Sequence, residues 1–95
     1  MRVWAATRDE NKVLSETVQE FPSARAHTGE QWSAVIGELC HALDLARPLL
    51  LKKHEHELNS FRHTAFTPED FMEPVSFKKL TIEIFPEKTK KENGN

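Results

Sequence analysis

The chain has 95 residues, and 13 lysines and arginines stand against 15 aspartates and glutamates, so its overall field neither draws nucleic acid strongly nor imitates it. That length supports one domain burying roughly two-thirds of the surface its unfolded form exposes, and it excludes a second independent core. A single cysteine, Cys40, cannot form an internal bridge and points to an intracellular domain, while the longest aliphatic run, Leu49-Leu50-Leu51, is too short for a membrane span of about 20 residues or for a signal peptide.

From the N-terminus, Val3-Trp4-Ala5-Ala6-Thr7 and Val13-Leu14-Ser15-Glu16-Thr17-Val18 are β-prone runs on either side of Arg8-Asp9-Glu10-Asn11-Lys12, in which Asn11 suits a left-handed turn position. They predict a β-hairpin. Leu14 and Val18 fall on one strand face with Glu16 between them, and the pattern leaves the side taken by Trp4 open. Thr28, with Gln31 three residues on, begins a capping box and predicts a helix start. At about 100° per residue from Trp32, the positions Val35, Ile36, Leu39, Cys40, Ala42, Leu43 and Ala46 share an arc of about 160°, with Ser33, Gly37, Glu38, His41 and Asp44 opposite. A surface helix with one apolar face should therefore run towards Pro48 and end before it.

Leu49-Leu50-Leu51 is either a short buried strand or the beginning of a second helix over Lys52–His63, since periodicity cannot separate the two in so short a run; the helix is the reading adopted. Thr67 then reads as an N-cap with Pro68 at the first helical position, carboxylates in the first turn and Phe66 stapled to Phe71, and Pro74 confines this helix to one or two turns. Leu80-Thr81-Ile82-Glu83-Ile84-Phe85 alternates as a half-buried strand does, with Phe85 on the outward parity and Pro86 closing it. Residues 87–95 contain no apolar side chain and are expected to form a disordered polar tail. The predicted architecture is a single α+β domain over residues 1–86. Its small antiparallel sheet combines the N-terminal hairpin with the C-terminal strand and is covered on one face by two or three helices, in the order ββααβ.

Few residues carry an obvious chemistry. On a helix, His54 and His56 lie about 200° apart, and His56 and His63 are two turns apart, so no pair converges on one ion; only a strand over residues 49–56 would aim His54 and His56 together and allow a small His-based metal site. The helical reading makes His54 a packed, hydrogen-bonded imidazole beside Leu51, Leu58 and Phe61, with His56 and His63 solvated. His54-Glu55-His56-Glu57 is not the zinc-protease pattern, which needs a second histidine where Leu58 stands. Cys40 and His41 diverge by about 100° and do not make a nucleophile and base. No catalytic residue, metal ligand, cofactor or small-molecule substrate is predicted.

Charge is unevenly divided. Residues 1–46 carry four cations and seven carboxylates, whereas residues 47–95 carry nine and eight. Within the second half, Arg47, Lys52, Lys53, Arg62, Lys78 and Lys79 define a basic face suited to weak nucleic-acid binding, although Glu55 and Glu57 dilute it and no aromatic is interleaved for base stacking. The aromatic residues Trp4, Trp32, Phe66, Phe71, Phe77 and Phe85 exceed what a small core absorbs, and Trp4 and Phe85 in particular are candidates to anchor a partner or a second subunit.

The Trp-containing hairpin, the segment Leu43-Asp44-Leu45-Ala46-Arg47-Pro48 and the positions Phe61-Arg62-His63, Phe66-Thr67, Asp70-Phe71, Glu73, Phe77 and Leu80 together resemble a family of short, uncharacterised bacterial proteins of about this length. The resemblance covers most of residues 2–86; the stretch after Pro86 and the pair Lys52-Lys53 depart from the pattern. It implies a bacterial, cytoplasmic accessory protein and carries over no activity, cofactor or catalytic residue. The expectation is a non-catalytic domain that binds a protein or a copy of itself through the sheet face or edge, with nucleic acid as the alternative ligand and a metal as the third.

Overall fold

A computed structural model describes residues 1–22 and 27–85. Two strands, β1 (Arg2–Asp9) and β2 (Lys12–Glu20), precede two helices, α1 (Gly29–Ala42) and α2 (Lys52–Phe61). They are followed by β3 (His63–Phe66), a single 3₁₀ turn over Pro68–Asp70, and β4 (Lys79–Phe85). All strand pairs are antiparallel and the sheet runs β2-β1-β4-β3, so the fold is α+β. The C-terminal strand pairs with the first strand of the hairpin.

The expected order ββααβ needs one correction: the sheet has four strands, because His63–Phe66 is extended. Helix α2 stops at Phe61, where Arg62 turns left-handed at φ 64°, and the carbonyl of Arg62 accepts the Ile84 N–H at 2.9 Å. A non-glycine residue in that conformation gives no warning in sequence, and four residues are too few to show alternation. The hairpin turn also differs from expectation. Glu10, not Asn11, takes positive φ, 61°, and Leu14 is the extra residue of a bulge between the pairs Thr7–Ser15 and Arg8–Val13.

Cross-strand register assigns the faces. Val3 with Ile84, Ala5 with Ile82, Thr7 with Leu80, and Thr64 and Phe66 beside them form the buried side. Both helices cover this side. Trp32, Val35, Ile36, Leu39 and Cys40 of α1 and Leu58 of α2 join those strand residues in one core. The capping box at the start of α1 is formed as the sequence implies, with Gln31 N–H donating to Thr28 Oγ1 and Thr28 N–H to Gln31 Oε1. The apolar arc of α1 is shorter than expected, since the helix ends at Ala42, and Ala42 and Ala46 are exposed. Gly37, placed by phase on the polar side, is buried beneath the Arg47 guanidinium, which lies 2.5 Å from where a Cβ would stand.

Leu49-Leu50-Leu51 is neither strand nor helix. Leu49 and Leu51 are exposed, Leu50 packs partly on the core, and Leu51 caps α2 without a side-chain acceptor of its own. The cap is made from the other side, by His54, whose Nδ1 accepts the N–H of Leu51 itself at 3.0 Å. At the 3₁₀ turn the roles are also reversed relative to expectation: the Asp70 carboxylate accepts both the Thr67 N–H, at 2.9 Å, and the Thr67 hydroxyl, at 3.3 Å. The tail over residues 87–95 lies outside the described residues.

Candidate functional site

No helix among the described residues covers the opposite face of the sheet. Its pairs are Arg2–Phe85, Trp4–Glu83, Ala6–Thr81 and Arg8–Lys79, with Ala65 beside Thr81, His63 beside Glu83, and Val18, Glu16 and Val13 on the β2 side. Both aromatic residues singled out from sequence, Trp4 and Phe85, are brought to this face by strand parity. Phe85 is exposed and Trp4 half-buried. The Trp4 indole is fixed by its N–H, which donates to Glu16 Oε1 at 2.7 Å.

Ala6, Thr81 and Ala65 form a line of small residues across the strands. Larger side chains rise on both sides of it, Trp4, Glu83 and His63 along one and Arg8 and Lys79 along the other, and the depression has a volume of about 670 Å³. Ala6 is fully buried, so the floor of the depression is made by Thr81 and Ala65. The Thr81 hydroxyl donates to the Ala6 carbonyl at 3.3 Å, which satisfies it. At the β3 edge Phe61, 58 % exposed, and Glu57 close the trough, and Glu57 accepts the Thr64 hydroxyl.

The basic candidates are not gathered. Arg47 lies against α1 over Gly37, Lys52 and Lys53 stand exposed in the first turn of α2, and Arg62 is half-buried at its far end, about 15 Å away at 1.5 Å per helical residue. Lys78 is ion-paired with Glu10 at 3.0 Å. Of the six, Lys79 alone lies on the open face, directly opposite Arg8, a cation that sequence reasoning did not single out. Only the strand register, which the sequence does not display, sets these two side by side.

The histidines do not converge. His54 is fully buried, its ring 4.2 Å from that of Phe66, while His56 is exposed with Nδ1 3.4 Å from Ser60 Oγ. Burial holds the His54 pKa below its ordinary 6.5; Lys53 acts in the same direction, and Asp70, whose Oδ2 lies 3.8 Å from Nε2, and Glu57 oppose it. Among the described residues no three histidine, cysteine, aspartate or glutamate side chains are grouped to hold a metal ion. Cys40 is buried, and desolvation, only partly offset by Arg47, pushes its thiol up to about 11, so at neutral pH it is a protonated packing group. Sequence reasoning also passed over Asn59. Its Oδ1 accepts both the His27 N–H and the Trp32 indole N–H at 3.0 Å, and its Nδ2 donates to the His27 carbonyl at 3.1 Å, so one amide ties α2 to the first turns of α1.

Among the described residues no helix is long and apolar enough to cross a membrane. No protein-family model, curated protein or solved structure matches the chain.

Proposed function

We propose that this protein is a non-catalytic binding module whose open sheet face holds another protein or a second copy of the chain, in keeping with the bacterial, cytoplasmic accessory role that its resemblance implies. The observation that carries this reading is a face of the four-stranded sheet that no helix among the described residues covers, on which Trp4 and Val18 are cross-strand neighbours and Phe85 and Val13 lie towards its two ends. Val13, Val18 and Phe85 are 38, 52 and 38 % exposed, and apolar side chains grouped on one uncovered face gain the most by being covered. A rigid indole held by Glu16 adds a preorganised anchor of the kind that concentrates binding energy at interfaces.

Separation of Arg47, Lys52, Lys53, Arg62 and Lys78 across the molecule favours this reading over a phosphate-tracking basic face. Salt tests the alternative directly, because phosphate contacts weaken steeply with ionic strength and apolar contacts do not. For the main reading, Val18→Asp and Phe85→Asp variants are compared with the wild type in light scattering and in capture of partners from the source cell. Charges at these two exposed sites should abolish association while leaving the melting temperature within a few degrees. Association unaffected by both changes would place the interface elsewhere and overturn the reading.

A further inference from the structure

We infer that the partner of the open face is a second copy of this chain, docked face to face about a twofold axis that runs along the line Ala6–Thr81–Ala65. This rests on the binding-module reading and names its occupant. Charge complementarity across the open face singles out this occupant. Glu83 lies two residues to one side of Thr81 on β4, and Lys79 lies two residues to the other; on β1, Trp4 and Arg8 flank Ala6 in the same way. Rotation by 180° about the line of small residues lays each strand antiparallel over its own copy and exchanges the two rows. Glu83 then sits over Lys79 of the second copy, and Trp4 sits over Arg8 of the second copy.

Each dimer thereby gains two carboxylate–ammonium pairs and two guanidinium–indole contacts, the latter made by the ring of Trp4 while its N–H stays on Glu16. Arg8 and Lys79 face one another across the strands, and no ion pair joins either to a carboxylate among the described residues. Like charges so placed are destabilising until a counter-charge arrives. On β2 the same rotation carries Val18, opposite Trp4, over Val13 of the second copy, opposite Arg8, so an apolar pair extends the seam. Over Thr81 and Ala65 the depression leaves room for flanking long side chains to fold inward between sheets stacked about 10 Å apart.

One contact is adverse. Glu16 pairs with Ala6 and so lies on the axis, where it meets Glu16 of the second copy. With β1, β2 and β4 seven to nine residues long and β3 only four, the face is at the small end for stable interfaces, and a weak, concentration-dependent dimer is expected.

The test is a charge exchange read by sedimentation equilibrium over a concentration series. Lys79→Glu and Glu83→Lys should each weaken the dimer by about tenfold or more, since each reverses two symmetry-related pairs. The double variant should restore the affinity to within a few-fold of wild type. Restoration cannot arise within one chain, because four residues along a strand separate the two positions by about 13 Å. Glu16→Gln should tighten the dimer. Both exchanged sites are exposed and should fold, and Lys79→Ala with Glu83→Ala provides milder versions should either reversed charge impair folding. A dimer indifferent to the single exchanges, or one not recovered in the double variant, would overturn this inference and leave self-association standing. A wild-type chain that stays monomeric to millimolar concentration would end the inference and the self-association half of the reading together, leaving a different protein as the partner.

Discussion

Asn59 and His54 are single polar side chains that tie elements together: Asn59 joins α2 to Trp32 of α1 and to His27, and His54 accepts the Leu51 N–H and packs on Phe66 of β3. Asn59 Oδ1 accepts two donors, one of them the indole N–H of Trp32, which is 1 % exposed. Asn59→Ala leaves both donors without a protein acceptor, so the expected loss is about 2–3 kcal/mol in a urea melt; a loss under about 0.5 kcal/mol would show that water replaces the amide freely. His54 predicts a pH response. In the folded chain the imidazole is neutral, with Nδ1 accepting the Leu51 N–H, and burial lowers its pKa from 6.5. The unfolded chain takes up a proton as pH falls through about 6.5, whereas the folded chain does so only at lower pH. Within that interval the unfolded state binds more protons, so stability contributed above pH 6.5 is lost on acidification until the folded imidazole also protonates, and Asp70 at 3.8 Å moderates the loss. Melts at about pH 7.5 and 5.5 should show a smaller difference for His54→Gln than for the wild type; identical differences would remove His54 from the acid response.

Among the elements, α1 is where sequence period and structure agree most closely, and its phase is open to a direct test. Leu39 is fully buried near the middle of the apolar arc, whereas His41 is exposed. Leu39→Ala should cost about 2–5 kcal/mol through the cavity it leaves, and His41→Ala should stay within about 0.5 kcal/mol of wild type; equal losses in denaturant melts would contradict the packing. The start of α1, the hairpin, the 3₁₀ turn at Pro68 and the alternation of β4 were legible because each depends on neighbours within about four residues. Strand β3 was not, since His63–Phe66 is extended only because it pairs with Leu80–Glu83, a contact remote in sequence. Leu51 and Phe61, assigned by helical phase to an apolar side, are exposed for a related reason: α2 lies at the margin of the sheet, where the core narrows to Leu58 and His54.

At the scale of the whole molecule, the expected surplus of aromatics needs correction, because Trp32, Phe66, Phe71 and Phe77 are all buried in the core and only Trp4 and Phe85 remain on the open face, where parity placed Phe85. The sequence could not show that Trp4, Glu83, Arg8 and Lys79 form two opposed rows, because that arrangement follows from the antiparallel register of β1 and β4 across more than seventy residues. The sheet can associate through its open face or through an outer edge, of which β2 is the longer and β3 the shorter, and face and edge leave different marks on the backbone. β1 and β4 are paired on both sides, so their amides are held by the ladder and should be the last to exchange with solvent. β2 is paired on one side only, and alternate N–H groups along its nine residues point outward. If copies joined edge to edge, those outward amides would enter a new ladder and slow sharply as concentration rises. Docking face to face leaves that edge in solvent. Hydrogen exchange followed residue by residue, at concentrations well below and well above the dissociation constant, should therefore find the outward amides of β2 exchanging fast in both, while the Trp4 indole N–H, covered by the second copy, becomes slower at the higher concentration. Slowing confined to the β2 amides would assign the interface to the edge, and the open face would then remain free in the dimer.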